Sequence, residues 1–202
     1  MKEQDNLTEH QSLQIIEQMI RSAKREQRDN GIGWIIWGWL LVTASVLTYF
    51  NIEERWFDAF FFWNLFGLAS IGMILYAVAR HFFFKRTVRV KTYTADLFEK
   101  LNIGFFIFLV FIIFAINRGI GPVRGFPLLI GLYGFWVLIY GTALNFRPSV
   151  IGAYISWAIA YASLYVDDIR WIMLLHALAV LCGYVIPGHI ANREFKKLNR
   201  IN

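Results

Sequence analysis

The residue best placed to do chemistry is His176. It sits near the middle of Trp171–Gly188, a run without Asp, Glu, Lys or Arg. Imidazole is the side chain whose charge changes near neutral pH, and an ionisable group inside an apolar segment is costly enough to be read as functional by default. Three roles fit: a proton relay, a ligand contact or an axial ligand to haem. The competing role is structural, with a neutral imidazole hydrogen-bonded to a Ser, Thr, Tyr or Asn of a neighbouring helix. A haem held by two histidines needs a partner at similar depth, but His81 and His189 lie at the margins of apolar runs and His10 in the polar front segment. No cofactor is therefore expected. Asn64 is the second candidate, a lone amide in an apolar run whose cross-helix hydrogen bond would be worth about 1 kcal/mol. It is either glue between helices or a substrate contact. With Tyr140 and Tyr161, His176 and Asn64 would line a polar path in a small transporter or channel.

The remaining chemistry is thin. Asp167-Asp168 and Glu53-Glu54 offer the oxygen ligands that calcium and magnesium favour, but Arg170 and Arg55 stand beside them. Solvated carboxylates on short loops are the simpler expectation. Cys182 is the single cysteine, which leaves neither an intramolecular disulfide nor a cysteine-based zinc spacing. Gly-x-Ser-x-Gly, His-Glu-x-x-His and Walker patterns do not occur, so the common nucleophile, zinc-protease and nucleotide sites have no foothold. No catalytic, cofactor-binding or metal-binding residue is assigned, and an enzyme is not expected.

The elements that would position these side chains are apolar runs. The chain of 202 residues is 57% hydrophobic and 18% aromatic, with only 17% charged residues, a composition beyond that of ordinary soluble domains. Gly31–Phe50 carries no charge, and about 18 such residues suffice to cross roughly 30 Å of hydrocarbon as a helix. Five further runs follow: Ala59–Ala79, Leu97–Asn117, Phe126–Asn145, Ser149–Val166 and Trp171–Gly188. The expected fold is all-α, a polytopic membrane bundle of about six transmembrane helices, with Arg80–Asp96 as its longest connection. Pro122, Pro127, Pro148 and Pro187 are expected at helix ends or in loops. Pro187-Gly188 should close the sixth helix, because Pro cannot continue its hydrogen bonding. A substrate site on broken helices is correspondingly not expected. Gly152, Ser156, Ala160 and Ser163 recur at three- and four-residue spacing in the fifth run, and Ala179 and Gly183 share a face with His176 in the sixth. Small residues so spaced let helices approach closely, within one chain or between two.

Residues 1–30 form a polar front segment, 31–188 the membrane domain and 189–202 a basic tail. In the front segment Leu13, Ile16, Met19, Ile20 and Ala23 recur with the period of one helix face; Glu17, Arg21, Lys24, Arg25 and Arg28 take the other. Such an amphipathic helix either lies on an anionic bilayer surface or docks a protein partner or a second copy. A cleavable signal peptide is not expected, since the front segment is polar and the first apolar run is too long. The net charge of +6 fits this picture better than nucleic-acid binding, which is not expected. With the N-terminus inside, sixteen of the 20 Lys and Arg face the cytoplasm and only Arg55, Arg118, Arg124 and Arg170 face out, the positive-inside bias. An even number of spans then brings both termini to the cytoplasm. The basic run Lys85–Lys91 beside a span is read as meeting phospholipid headgroups. Trp56, Tyr165 and Trp171 mark the outer interface and Trp34 the inner one.

Ser12–Leu40 (SLQIIEQMIRSAKREQRDNGIGWIIWGWL), Asn145–Ala153 (NFRPSVIGA) and Gly183–Ile190 (GYVIPGHI) resemble a group of uncharacterised small six-span inner-membrane proteins of Bacteroidetes-type bacteria, over nearly the whole chain. The resemblance implies a bacterial inner (cytoplasmic) membrane and that topology. Its motifs serve packing and turns, so no functional residue carries over. The expected function is a non-enzymatic regulatory or assembly subunit that binds a partner through its front helix. The alternative is a small transporter or channel with a polar path near His176.

Overall fold

The computed structural model describes residues 30–83 and 93–200. The front segment, with Leu13, Ile16, Met19, Ile20 and Ala23, and the basic run Lys85–Lys91 lie outside the described residues. Among those described, every regular element is helical, as the all-α expectation requires: α1 Ile32–Glu54, α2 Phe61–Phe83, α3 Tyr93–Ala115, α4 Gly121–Ala143, α5 Arg147–Ser163, α6 Ile169–Val180 and α7 Ile186–Arg200. Three helical stretches, Ile32–Glu54, Leu97–Ala143 and Ile169–Lys197, are long and apolar enough to cross a membrane. The middle stretch folds back on itself. Phe98 and Tyr140 have ring centroids 5.7 Å apart and Phe105 and Trp136 5.2 Å apart, whereas one straight helix would separate Phe98 from Tyr140 by about 60 Å. The reversal occurs at Ile116–Ile120, where Gly119 (φ 155°) and Gly121 (φ 75°) adopt backbone angles that side chains resist.

Local signals set the helix ends. Gly31 enters α1 in the left-handed region at φ 70°, and the Asn30 side chain accepts a hydrogen bond from the Ile32 N–H at 3.1 Å. Asn145 at φ 50° makes the tight turn before α5, whose first turn takes Pro148 where no helical N–H is needed. Asp168 caps α6 by accepting from the Arg170 N–H at 2.9 Å.

The helices that pack together here run antiparallel. Along α1 and α6, Tyr49 faces Trp171, Ser45 faces His176 and Gly38 faces Val185. Along α5 and the turn after α6, Ser156 bonds Ala179 and Gly152 abuts Cys182. The core lies among α1, α4, α5 and α6, with Val137, Ala153, Ile172, Met173 and Val180 essentially inaccessible. The outer helices α2 and α3 present Leu68 and Ile107, each more than two-thirds exposed. Apolar exposure on this scale is what hydrocarbon solvent permits and water does not.

Two prolines depart from expectation. Pro127 lies inside α4 rather than at an end. Pro187 does not close the sixth helix: a wider turn at Leu181–Val185, in which the Ile186 N–H reaches back to Leu181 O, leads directly into α7. A π-type turn shifts the hydrogen-bonding register by one residue and so absorbs the missing Pro N–H without ending the helix. The basic stretch after residue 188 is accordingly helical through Arg200. It returns to the start of α1, where the Asn192 side-chain amide donates to Asn30 O at 2.8 Å.

This arrangement sorts charge into two ends. Lys100, Arg147, Arg193, Lys196 and Lys197 gather with Asn30 at what we term the basic end. Glu53, Glu54, Asp58, Asp167 and Asp168 gather at the opposite, acidic end, with Arg55, Arg118, Arg124 and Arg170 among them.

Candidate functional site

His176 is completely buried where α1, α2, α4 and α6 meet. Ser45 of α1 stands with its Oγ 2.8 Å from His176 Nδ1 and 2.8 Å from Leu41 O. The serine has one proton for two acceptors, so the imidazole either donates to the hydroxyl or receives from it. In both tautomers Nε2 is left without a partner among the described residues. Around the ring stand Trp63 at 5.2 Å, Phe126 at 5.7 Å and Tyr133 at 5.7 Å, all close to edge-on, a geometry aromatic pairs favour. The hydrogen-bonded imidazole on a neighbouring helix's serine, one of the sequence-level alternatives, is the arrangement observed.

Ser45 is as inaccessible as His176, and among the described residues no carboxylate is bonded to the imidazole. Among the described residues no group of three or more His, Cys, Asp or Glu could hold a metal. An open cavity of about 350 Å³ exists instead at the basic end, lined by Gly141, Thr142, Asn145, Phe146, Arg147, Val150 and Ile151, and it does not include His176.

Asn64 does not share this site. It lies on the exposed face of α2, and the amide that is buried is Asn51 of α1, 1% exposed. Asn51 Nδ2 donates to Asp58 O at 2.8 Å, and its Oδ1 accepts from the Phe57 N–H at 2.9 Å, so it ties the α1–α2 loop. Asn64 is therefore not the buried cross-helix group that its place in an apolar run suggests. The helix faces outward at that position, and composition cannot tell an outward face from an inward one where both meet apolar surroundings. Tyr161 is 71% exposed on α5, and Tyr140 packs against Trp34 in a tilted pair at the basic end. The four groups once grouped around a polar path do not converge.

Three residues that belong to the site escape a search for ionisable groups: Ser45, Thr48 and Trp63. Thr48 Oγ1 and Trp63 Nε1, like His176 Nε2, are buried without a partner among the described residues. The signal for the first two was present, since Ser45, Thr48 and Asn51 recur every three residues in an uncharged run.

The small-residue seam fixes how α5 meets the sixth helix. Gly152, Ser156, Ala160 and Ser163 are all buried, as are Ala179 and Gly183 opposite. A Cβ on Gly152 would stand 2.5 Å from Cys182 O, and one on Gly183 2.8 Å from Ser156 Oγ. Ser156 donates to Gly152 O at 2.9 Å and lies 3.1 Å from Ala179 O. The seam is therefore intramolecular.

At the acidic end three carboxylates, Glu53, Asp167 and Asp168, already have cations. Arg170 bridges Glu53 at 2.6 Å and Asp168 at 2.6 Å, and Arg124 meets Asp167 at 2.9 Å. The Arg170 side-chain hydrogen bonds hold the Asp168 carboxyl below its ordinary range.

Comparison with protein-family models, with characterised proteins and with solved structures gives no match to this chain.

Proposed function

We propose that this chain is a six-span integral protein of a bacterial inner membrane, with both termini in the cytoplasm, that acts as a non-enzymatic regulatory or assembly subunit. The observation that carries the reading is where the bundle holds Asn30. It is tied to Asn192 of α7 at the basic end, so the point at which residues 1–29 join the bundle lies beside the basic helix α7. Lys and Arg collect on the cytoplasmic side of membrane proteins, which makes that end the inner one. In this reading a protein partner is bound by the amphipathic pattern of residues 1–29 together with α7. Each arm of the α3–α4 hairpin has 23 residues, about 35 Å of helix, enough to cross once in each direction; α1, α2, α5 and the sixth helix complete the count.

Affinity purification in mild detergent tests the function. Removal of residues 1–29 should abolish co-purification of the partner while the bundle remains monodisperse. Unchanged partners and unchanged particle size in the truncated protein would end the reading. The transporter alternative has weaker support, because His176, Asn64, Tyr140 and Tyr161 lie in separate environments.

A further inference from the structure

The open cavity of about 350 Å³ at the basic end is lined by three polar side chains: Thr142 in the last turn of α4, Asn145 in the turn that follows and Arg147 at the start of α5. All three are exposed. Among the described residues none of these side chains has a hydrogen-bond or ion-pair partner. The arginines of the acidic end differ, since Arg124 and Arg170 each sit on a carboxylate. No carboxylate lines this cavity; Glu194 lines a separate one of about 90 Å³ that shares Asn145 and Phe146 with it. One free guanidinium beside a hydroxyl and an amide is the donor set that a phosphate group takes. A zwitterionic headgroup would bring an ammonium with no carboxylate in the cavity to receive it.

The rest of the wall is apolar, with Phe146, Val150 and Ile151. Ile151 also begins an exposed strip on one face of α5, in which Ile151, Tyr154 and Ile155 are 59%, 59% and 41% exposed. Ile155 lies about 12 Å along the helix from Arg147. The helix that carries the strip packs between α4, where Trp157 Nε1 donates to Gly131 O at 3.0 Å, and α6, where Ser156 Oγ lies 3.1 Å from Ala179 O. Both of those neighbours belong to stretches long and apolar enough to cross a membrane. A free phosphate would use the donors and leave the strip bare, whereas a phospholipid uses both.

We propose that this cavity binds an anionic phospholipid, its phosphate on Arg147, Thr142 and Asn145 and an acyl chain along Ile151, Tyr154 and Ile155. The site rests on the membrane reading of the chain and not on which side the basic end faces.

Full-length protein, stripped of lipid in mild detergent, is titrated with phosphatidylglycerol or phosphatidylcholine, and bound lipid is counted by native mass spectrometry. The parent should bind phosphatidylglycerol about fivefold more tightly, the worth of one cation beside an anionic headgroup. Arg147→Gln should lose that preference, and Arg193→Gln, on α7 at the same end, should keep it. A preference lost in both variants or kept in both overturns the site. Inorganic phosphate in large excess should leave bound phosphatidylglycerol in place; its displacement would make free phosphate the occupant and overturn the lipid. A second measurement needs no variant. Phosphatidylglycerol with a photoreactive headgroup should label residues 141–151 of the parent, and excess phosphatidylglycerol should suppress that label. Labelling confined to other segments overturns the site even if Arg147→Gln does not fold. Purification as a monodisperse particle without detergent would instead end the membrane reading and the site with it; any of the other adverse results, in protein that needs detergent, removes the site alone.

Discussion

At the scale of single residues, the polar groups that matter are those with one defined partner in a place without water. Ser45→Ala removes the neighbour of His176 Nδ1 and leaves both ring nitrogens unpaired. A buried polar group stripped of its partner costs roughly 1–3 kcal/mol, and the melting temperature in detergent should fall accordingly. Asn51→Ala should cost a similar amount, because it releases the Phe57 N–H and the Asp58 carbonyl together. Asn64→Ala, on an exposed face, should stay within about 0.5 kcal/mol of the parent; equal losses for Asn64→Ala and Asn51→Ala would refute these assignments. Sequence reading singled out His176 because a titratable ring in an apolar run is legible by type alone. Asn64 and Asn51 are alike by type, and type does not report direction. In water a polar face points out and an apolar face points in, but in a membrane both faces of a helix are apolar. Only small and hydroxyl side chains then mark the inside, and Ser45 and Thr48 were passed over for lack of charge.

At the scale of elements, helix positions followed from run length, whereas helix ends and continuity depended on backbone detail. The rule that Pro ends a helix presumes α-type register. The wider turn at Leu181–Val185 changes that register, and nothing in the residue types announces it. The small-residue seam was legible by spacing, but its partner was not, since a second copy offers the same chemistry as the next helix. Its geometry now gives a sharp contrast. Gly152→Leu must force α5 away from the Cys182 carbonyl and should destabilise the bundle by about 3 kcal/mol or more. Gly67→Ala in α2 meets nothing within 4 Å, and since Ala favours helix over Gly it should be neutral or mildly stabilising in the same thermal assay. The cap of α6 gives a pH prediction. Hydrogen bonding from the Arg170 side chain lowers the Asp168 carboxyl in the folded protein. Its contribution is therefore complete above the ordinary carboxylate value of about 4 and is lost as pH falls through the depressed folded value. Thermal stability should show no loss from this group between neutrality and about pH 5 and then drop on further acidification. Asp168→Asn should reduce that drop, and a drop of undiminished size in Asp168→Asn would assign it to other carboxylates.

At the scale of the whole molecule, the question is which parts hold the bundle together and which are left to act outside it. Among the described residues the core runs from Leu41 to Val185. The described helices bury that surface against one another, so removing residues 1–29 should leave the melting temperature of the bundle within about 2 °C, the shift expected of less than about 1 kcal/mol in a protein of this size. α7 differs. Its Asn192 holds Asn30, and Gly31 and Gly188 are in close approach, a Cβ on Gly188 standing 3.2 Å from Gly31 O. Gly188→Leu should therefore open the basic end, lower the melting temperature and separate α7 from the start of α1. The two variants divide the front segment from its support. If the partner binds residues 1–29 together with α7, deletion of 1–29 removes it from an intact bundle, while Gly188→Leu weakens capture with the front segment still present. Capture undiminished by Gly188→Leu, at a melting temperature that has fallen, would place the whole contact on residues 1–29 and leave α7 as a brace.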